Sequence, residues 1–440
     1  MMMALQFAVV LAAIFFGARI GGIGIGFAGG LGVLVLAALG VTPGAMPLDV
    51  ISIIMSVIVA IAAMQIAGGM DYLVDLADRI LRKNPKHLTF LAPIITFLMT
   101  MMAGTGHTAF STMPVITEVA KENNIRPSRP LSIAVVASQI AITASPISAA
   151  VVFMASLLES EGTGVDYIQL LAVAIPSTFL AVMCTAAIMI AFDKIRGNSA
   201  LDTHPEYQRR MAAGTVTVAA KEQRVLKPGA KRSVLIFLIG LVAVMTYATL
   251  ISDKVGLIAE PVMPRDAAII SIMLSIAAII VLVCKVPTAD ILGASTFKSG
   301  MSAAICVLGV AWLGTTFVHA HEEAIMASAS DLLNGFPWML AVVLALASAL
   351  LYSQAATTKA LMPTALLIGV GPAAAVAAFP AVSALFILPT YPTLLAAVEM
   401  DDTGTTQIGK YVFNHPFLVP GVINIALAVG FGFLFSSFLI

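Results

Sequence analysis

Two stretches of this 440-residue chain set hydroxyls, amides and one cation among glycines and prolines, inside sequence that is otherwise apolar. In one, Ser353-Gln354-Ala355-Ala356-Thr357-Thr358-Lys359 runs on to Met362-Pro363 and is followed by Pro389-Thr390-Tyr391-Pro392-Thr393. In the other, Gly104-Thr105-Gly106-His107-Thr108 runs on to Met113-Pro114 and is followed by Thr143-Ala144-Ser145-Pro146-Ile147-Ser148. The chemistry these residues offer is recognition of an anion. A helix restarting in apolar surroundings presents N–H groups without partners and about half a positive charge. Four restarts are expected, near Thr108, Ile147, Ala355 and Thr393. Facing one cavity they would supply on the order of two positive charges, a match for a dianion.

The chain is 60% hydrophobic and only 10% charged, whereas a soluble domain is roughly 45–50% apolar and about 25% charged. That balance reads as a polytopic membrane protein, with the lipid bilayer as its solvent. In a bilayer an unpaired lysine costs roughly 2.5–3.5 kcal/mol on insertion scales. Lys359 is therefore expected to meet a carboxylate of the protein, with Glu399 and Asp401 as candidates, to snorkel along its stem, or to contact an anionic ligand. His107 either donates to a carboxylate and titrates in proton coupling or is a neutral tip residue. An isolated hydroxyl such as that of Thr100 is expected to bond back to its own helix. For Thr105, Thr108, Ser145, Ser148, Ser353, Thr357, Thr390 and Thr393 the broken backbone favours ligand contact. Tyr391, between two prolines, either closes over a ligand or seats its ring at a packing contact. The acidic run 399–402 reads as a solvated turn.

Positioning these residues requires interrupted spans. Residues 1–16 are apolar with no basic residue ahead of them, the opposite of a signal peptide, so a first span entering from outside is expected. Residues 21–40 return through a Gly-rich helix suited to close packing, and 49–67 lead to 71–86, a basic segment with helical apolar spacing at Leu73, Leu76, Ala77, Ile80 and Leu81 that reads as an interfacial amphipathic helix. Residues 87–121 are too short for two crossings of roughly 20 residues each and read as a re-entrant hairpin with its tip at 104–108. Residues 131–159 form a span broken at 143–148, and 166–192 return inside. Residues 193–232, with nine Lys/Arg against four Asp/Glu, read as a cytoplasmic linker. Spans follow at 233–251, 266–284 and 300–318, then an amphipathic stretch at 319–335, a second hairpin at 338–368, a span over 373–400 broken at 389–393, and a final span from 414.

The expected fold class is thus an all-α polytopic membrane protein of two inverted repeats, each with five spanning helices and one re-entrant hairpin. The first repeat is 1–192, divided into a scaffold (1–84) and a transport part (85–192). The second is 233–440, divided into a scaffold (233–336) and a transport part (337–440). An odd number of crossings per half forces the inversion and leaves both termini outside. Interrupted apolar segments in matching positions of two halves point to the binding site of a secondary transporter.

Zero formal net charge leaves no electrostatic footprint for nucleic acid. Cys184, Cys284 and Cys306 lie in apolar runs without metal-ligand spacing and read as core residues. Of six histidines only His107 is expected at depth, which leaves a haem or cluster protein without ligands. No Gly-x-Ser-x-Gly or His-Glu-x-x-His pattern supports a hydrolase. No enzyme, cofactor or metal site is expected, apart from Na⁺ held at backbone carbonyls, which any residue can supply.

Gly21-Gly22-Ile23-Gly24-Ile25-Gly26, Ala103 to His107, Ile142 to Pro146, Ser353 to Ala356, Ile387 to Pro392 and Asp402-Thr403-Gly404-Thr405-Thr406 together resemble the Dcu family of anaerobic four-carbon dicarboxylate carriers of bacteria, with the overall match closer to the DcuA-type branch. The resemblance covers essentially the whole chain. It implies transport of fumarate, succinate, malate and aspartate across the inner membrane, commonly as exchange that supports fumarate respiration. It also implies a likeness to a wider superfamily in which two hairpins and two broken helices hold substrate in a moving domain, and from there an elevator mechanism and a scaffold-mediated homodimer. A Na⁺- or H⁺-coupled carrier of another oxyanion on the same architecture is the alternative.

Overall fold

The computed structural model describes residues 2–20, 23–46, 48–196, 200–216, 226–251, 257–258, 260–294, 296–298, 300–302, 304–305, 308–310, 312–317, 319–321, 336–351, 353–388, 391–409 and 413–440. Among these the regular structure is helical, with an isolated bridge between Ile125 and Ala200. Six helices or helix runs are long and apolar enough to cross a bilayer: 85–103, 128–160, 167–195, 230–250, 265–284 and 418–439. A seventh is counted if the two halves of a bent pair form one span, and residues 2–17, 26–38, 339–349 and 372–383 are shorter apolar helices.

Helices α1 (Met2–Ile20) and α2 (Gly24–Ala38) pack on each other. The Gly-rich sequence of α2 permits a backbone contact with the later helical residues 308–310, where a Cβ on Gly309 would lie 1.9 Å from the Gly26 carbonyl oxygen. Helix α3 (Leu48–Ile66) bends by 69° into α4 (Gly69–Lys83), and Lys227 Nζ donates at 2.9 Å to the Ile66 carbonyl that the bend frees. The buried stripe of α4 is Met70, Val74, Ala77 and Leu81. Leu76 and Ile80 are 43% and 37% exposed, because α6 and α11 cover only one edge of the apolar face.

The first hairpin is α5 (Leu88–Ala103) and α6 (Ala109–Glu122), joined by a 3-10 turn at Gly106–Thr108. Helix α7 (Ser128–Ile140) passes through a 3-10 turn, Ala141–Ala144, and an extended Ser145 before α8 (Ala149–Ser160). Helix α9 (Tyr167–Arg196) follows. The described part of the linker is packed on the rest of the protein. It carries α10 (Pro205–Ala212), its Ala200 carbonyl accepts from Arg126 Nε at 3.0 Å, and Arg210 Nη1 donates at 3.2 Å to the Asp402 carbonyl.

Helices α11 (Ala230–Leu250), α12 (Arg265–Cys284) and the short α13 (Thr288–Gly293) precede helical residues between 296 and 321. Beyond 319–321, the expected amphipathic stretch at 319–335 lies outside the described residues, as does Cys306. The second hairpin is α14 (Met339–Leu351) and α15 (Gln354–Leu367). The second break is wider than expected. Helix α16 stops at Ala378 (Pro372–Ala378), gives way to a 3-10 turn at Phe379–Ser383, and α17 starts only at Pro392 (Pro392–Met400). Helix α18 (Leu418–Leu439) closes the chain.

The halves interlock through α8 on α15 and α9 on α18. The acidic run after α17 is not a solvated turn. Asp401 is 1% exposed and accepts from the Thr403 N–H (3.1 Å), the Thr406 N–H (2.7 Å), Thr405 Oγ1 (2.8 Å) and the Thr403 hydroxyl. Four donors supply what water would otherwise provide to a buried carboxylate.

Candidate functional site

At the first tip, α5 ends on Gly104, whose φ of +65° and N–H bond to the Thr100 carbonyl (2.8 Å) form a left-handed cap. A Cβ on Gly104 would sit 3.3 Å from the Ile147 side chain and carbonyl, so the tip lies directly on the first break. Thr100 does not bond back to its own helix as expected. Its Oγ1 is 2.8 Å from Thr108 Oγ1, which ties the two legs of the hairpin together, and Thr108 Oγ1 also donates to the Thr105 carbonyl at 3.3 Å. The side chain of His107 lies outside the described residues.

At the first break, Ser148 is the N-cap of α8. Its Oγ accepts from Val151 N–H at 3.2 Å and donates to the Ile142 carbonyl at 2.7 Å. The Pro146 carbonyl accepts from the Tyr167 hydroxyl at 2.5 Å. Ser145 is fully buried and its Oγ has no hydrogen-bond partner.

The second tip uses the same cap without a glycine. Ser353 Oγ accepts from Ala356 N–H at 3.2 Å, and Tyr352 lies outside the described residues. The second break restarts with Tyr391 as N-cap and Pro392 in the first turn, where a proline loses no helical hydrogen bond. Tyr391 packs at the rim of the main apolar cluster. Pro389 and Thr390 lie outside the described residues.

Several hydroxyls expected to face a ligand give their hydrogen to local carbonyls instead. Thr143 donates to Ile140 (2.7 Å), Thr357 to Ser353 (2.8 Å) and Thr358 to Gln354 (2.7 Å). Each sits within a turn of a helix, where the carbonyl three or four residues back is nearer than anything across a cavity.

Three of the four broken elements meet at a residue the sequence reading passed over. Gln139, near the end of α7, accepts at its backbone carbonyl from Gln354 Nε2 (3.1 Å) and donates from Nε2 to Thr393 Oγ1 (3.4 Å). The signal was present as a single amide between Val135-Val136-Ala137 and Ile140-Ala141-Ile142, in a segment where an amide needs a reason to be buried.

Lys359 lies on α15 beyond this junction and is 1% exposed. Neither expected carboxylate pairs with it. Asp401 is held by its threonines, and Lys359 Nζ has no hydrogen-bond partner among the described residues, only the Phe153 ring centroid at 5.3 Å. It lines a cavity of about 170 Å³ with Thr364, Glu161 at the end of α8, and Gly314, Thr315 and His319. Among the described residues no group of three or more His, Cys, Asp or Glu side chains is placed to hold a metal ion.

On the linker side, Lys121 bridges Glu118 (2.7 Å) and Asp402 (3.1 Å), joining the foot of the first hairpin to the loop after the second break. Burial lowers the affinity of this ammonium for its proton. The hydrogen bonds to Glu118 and Asp402 outweigh that and leave it above the usual lysine value.

The chain is 60% identical over 440 residues to the C4-dicarboxylate transporter DcuA of Wolinella succinogenes, with 100% of each chain covered. It is 57% identical over 439 residues to the C4-dicarboxylate transporter DcuA of Escherichia coli K12, again with 100% of each covered. It is 36% identical to the anaerobic C4-dicarboxylate transporter DcuB of Escherichia coli O6:H1, with 99% of each covered. Among solved structures, the YdaH transporter of Alcanivorax borkumensis is similar in fold, with a TM-score of 0.53 and 14% identity over 88% of this chain and 84% of that one. Residues 2–440 match the family described as anaerobic C4-dicarboxylate membrane transporters. The family match over residues 2–440 and the full-length DcuA relatives lead to one assignment: this chain is a membrane transporter belonging to the DcuA/DcuB family.

Proposed function

We propose that the protein exchanges four-carbon dicarboxylates such as fumarate, succinate, malate and aspartate across the bacterial inner membrane by elevator-type alternating access. The moving part is 85–192 with 337–440, and the scaffold is 1–84 with 233–336, in two inverted repeats with both termini periplasmic. The observation that carries this reading is the meeting of both hairpins and both breaks. The first tip packs on Ile147, Gln354 reaches Gln139, and Gln139 reaches Thr393. Helix N-termini at these tips and breaks, if they face one cavity, would compensate a dianion for the water it leaves. One carboxylate is assigned to Gly104–Thr108 and Ser145, the other to Ser353–Lys359 and Thr390. Lys359 is the cation of the site, supported by its burial without a protein carboxylate. Neutral hydroxyls and N–H groups orient the substrate without adding fixed charge, which suits a carrier that must also release it.

Reconstituted into liposomes loaded with labelled succinate, the protein is expected to release label when fumarate, malate or aspartate is outside, and little without them. Release driven instead by a Na⁺ or pH gradient would replace exchange with ion coupling. The elevator has its own test. Arg265 on the scaffold pairs with Glu159 on the moving part, so cysteines at both positions, once cross-linked, should stop exchange and recover on reduction. Full activity of the cross-linked protein would end the elevator assignment. The scaffold is also proposed to form a homodimer, since a moving part needs something fixed in the bilayer. Native mass spectrometry from mild detergent showing monomer alone would remove that element.

A further inference from the structure

Gln139 is 1% exposed, and its polar atoms are unequally used. The backbone carbonyl is taken by Gln354 and Nε2 by Thr393, but Oε1 is buried with no hydrogen-bond partner among the described residues. The elements that meet at this point are the starts of α15 and α17, whose terminal N–H groups are donors. Donors suit the two carboxylates of a dicarboxylate. Carboxylates are acceptors, however, and cannot satisfy an amide oxygen. Only a hydrogen-bearing substituent on the carbon chain between them can. We propose that Gln139 Oε1 reads the C2 substituent of the substrate, accepting a hydrogen bond from the ammonium of an amino dicarboxylate or the hydroxyl of a hydroxy dicarboxylate. Gln139 is then a specificity residue, favouring such substrates over unsubstituted ones. The inference rests on the reading of this junction as the dicarboxylate site.

The physical basis is asymmetric discrimination. A site built to pair with a substituent disfavours the analogue lacking it, because a buried polar group is then left alone. Placing Gln139 at the contact between the first break, the second tip and the second break also couples recognition of that substituent to the closure of all three.

The test is competition in proteoliposomes exchanging labelled succinate, with external aspartate, malate, succinate or fumarate as competitors. Gln139→Leu loses the bond to Thr393 as well as Oε1, so all four competitors should weaken, but aspartate and malate at least tenfold more than succinate and fumarate. Gln139→Glu puts a charge where the ammonium sits. It should raise the preference for aspartate over succinate at least tenfold above the wild-type ratio. Equal weakening of all four in Gln139→Leu, or a Gln139→Glu ratio that is unchanged or moves toward succinate, overturns the proposal. If Gln139→Leu does not insert, the Gln139→Glu ratio decides alone. A wild-type protein that exchanges no dicarboxylate would remove the site reading itself, an outcome separate from an unchanged ratio in a working carrier.

Discussion

The two halves of the site are built on one backbone plan and finished with different chemistry. In both, a hairpin tip faces a helix that passes through a 3-10 turn and an extended residue before restarting, at 141–148 and at 379–391. Among its described side chains the first half carries no charge and is close-packed: a glycine cap against Ile147 and two threonines joined across the hairpin. The second half has no glycine at its tip and carries Gln354 and Lys359. The helix-terminal field is thus shared between the halves, while the single full charge belongs to one of them. Backbone geometry can be duplicated at no electrostatic cost. A second buried ammonium could not, because each unpaired charge in the bilayer costs several kcal/mol.

If this division of labour is real, charge removal should outweigh everything else. Lys359→Ala is expected to weaken dicarboxylate binding by roughly 1.5–3 kcal/mol, the size of a charged hydrogen bond, with expression retained. Thr108→Val in the first half should cost only about 1 kcal/mol. Equal losses in a binding titration of the two variants would break the comparison, and unchanged succinate affinity in Lys359→Ala would move the site to the helix termini alone.

The first half should answer instead to packing. Gly104→Ala forces a side chain into a left-handed conformation, at about 1–2 kcal/mol, and toward Ile147 as well. Thermal unfolding in detergent should show the loss, together with weaker binding of every dicarboxylate alike. A drop confined to one substrate would contradict a purely steric role.

Where the halves share a device they should behave alike. Ser148→Ala and Ser353→Ala each remove an N-cap that accepts a helix N–H at 3.2 Å, so each is expected to cost about 1 kcal/mol. A large difference between their melting temperatures would show that one cap does more than cap.

The smallest effect is expected where the linker touches both halves. Ala200 accepts from Arg126 of the first half, and Arg210 donates to Asp402 of the second. Between them, burial and then the Arg126 charge hold the His204 imidazole below its ordinary value. The unfolded chain therefore takes up the proton more readily. This contribution to stability is complete above the free-histidine pKa of about 6.5 and is lost as pH falls through that value toward the folded one. Melting temperatures taken between about pH 7.5 and 5.5 should fall slightly further in the wild type than in His204→Gln.

Much of this protein is written in local sequence. Its composition fixes a bilayer environment, and Gly104, Ser148, Ser353 and Pro392 mark turns and helix starts because their φ angles, side-chain acceptors or missing N–H act within three or four residues. For that reason the four restarts were legible. The same short-range rule made the hydroxyls of Thr143, Thr357 and Thr358 misleading, since a broken helix still leaves a carbonyl one turn behind. Only the tertiary structure decided what lay farther apart in the chain. It moved the start of the second break back to Phe379, buried Asp401 of the acidic run among threonines, set Lys359 in a cavity also lined by Glu161 and Thr315, and made Gln139 the contact among elements 215 and 254 residues away. Those outcomes depend on which helices pack together. No window of sequence contains both members of such a pair, and the balance between burial and hydrogen bonding that selects it is struck only when the halves meet.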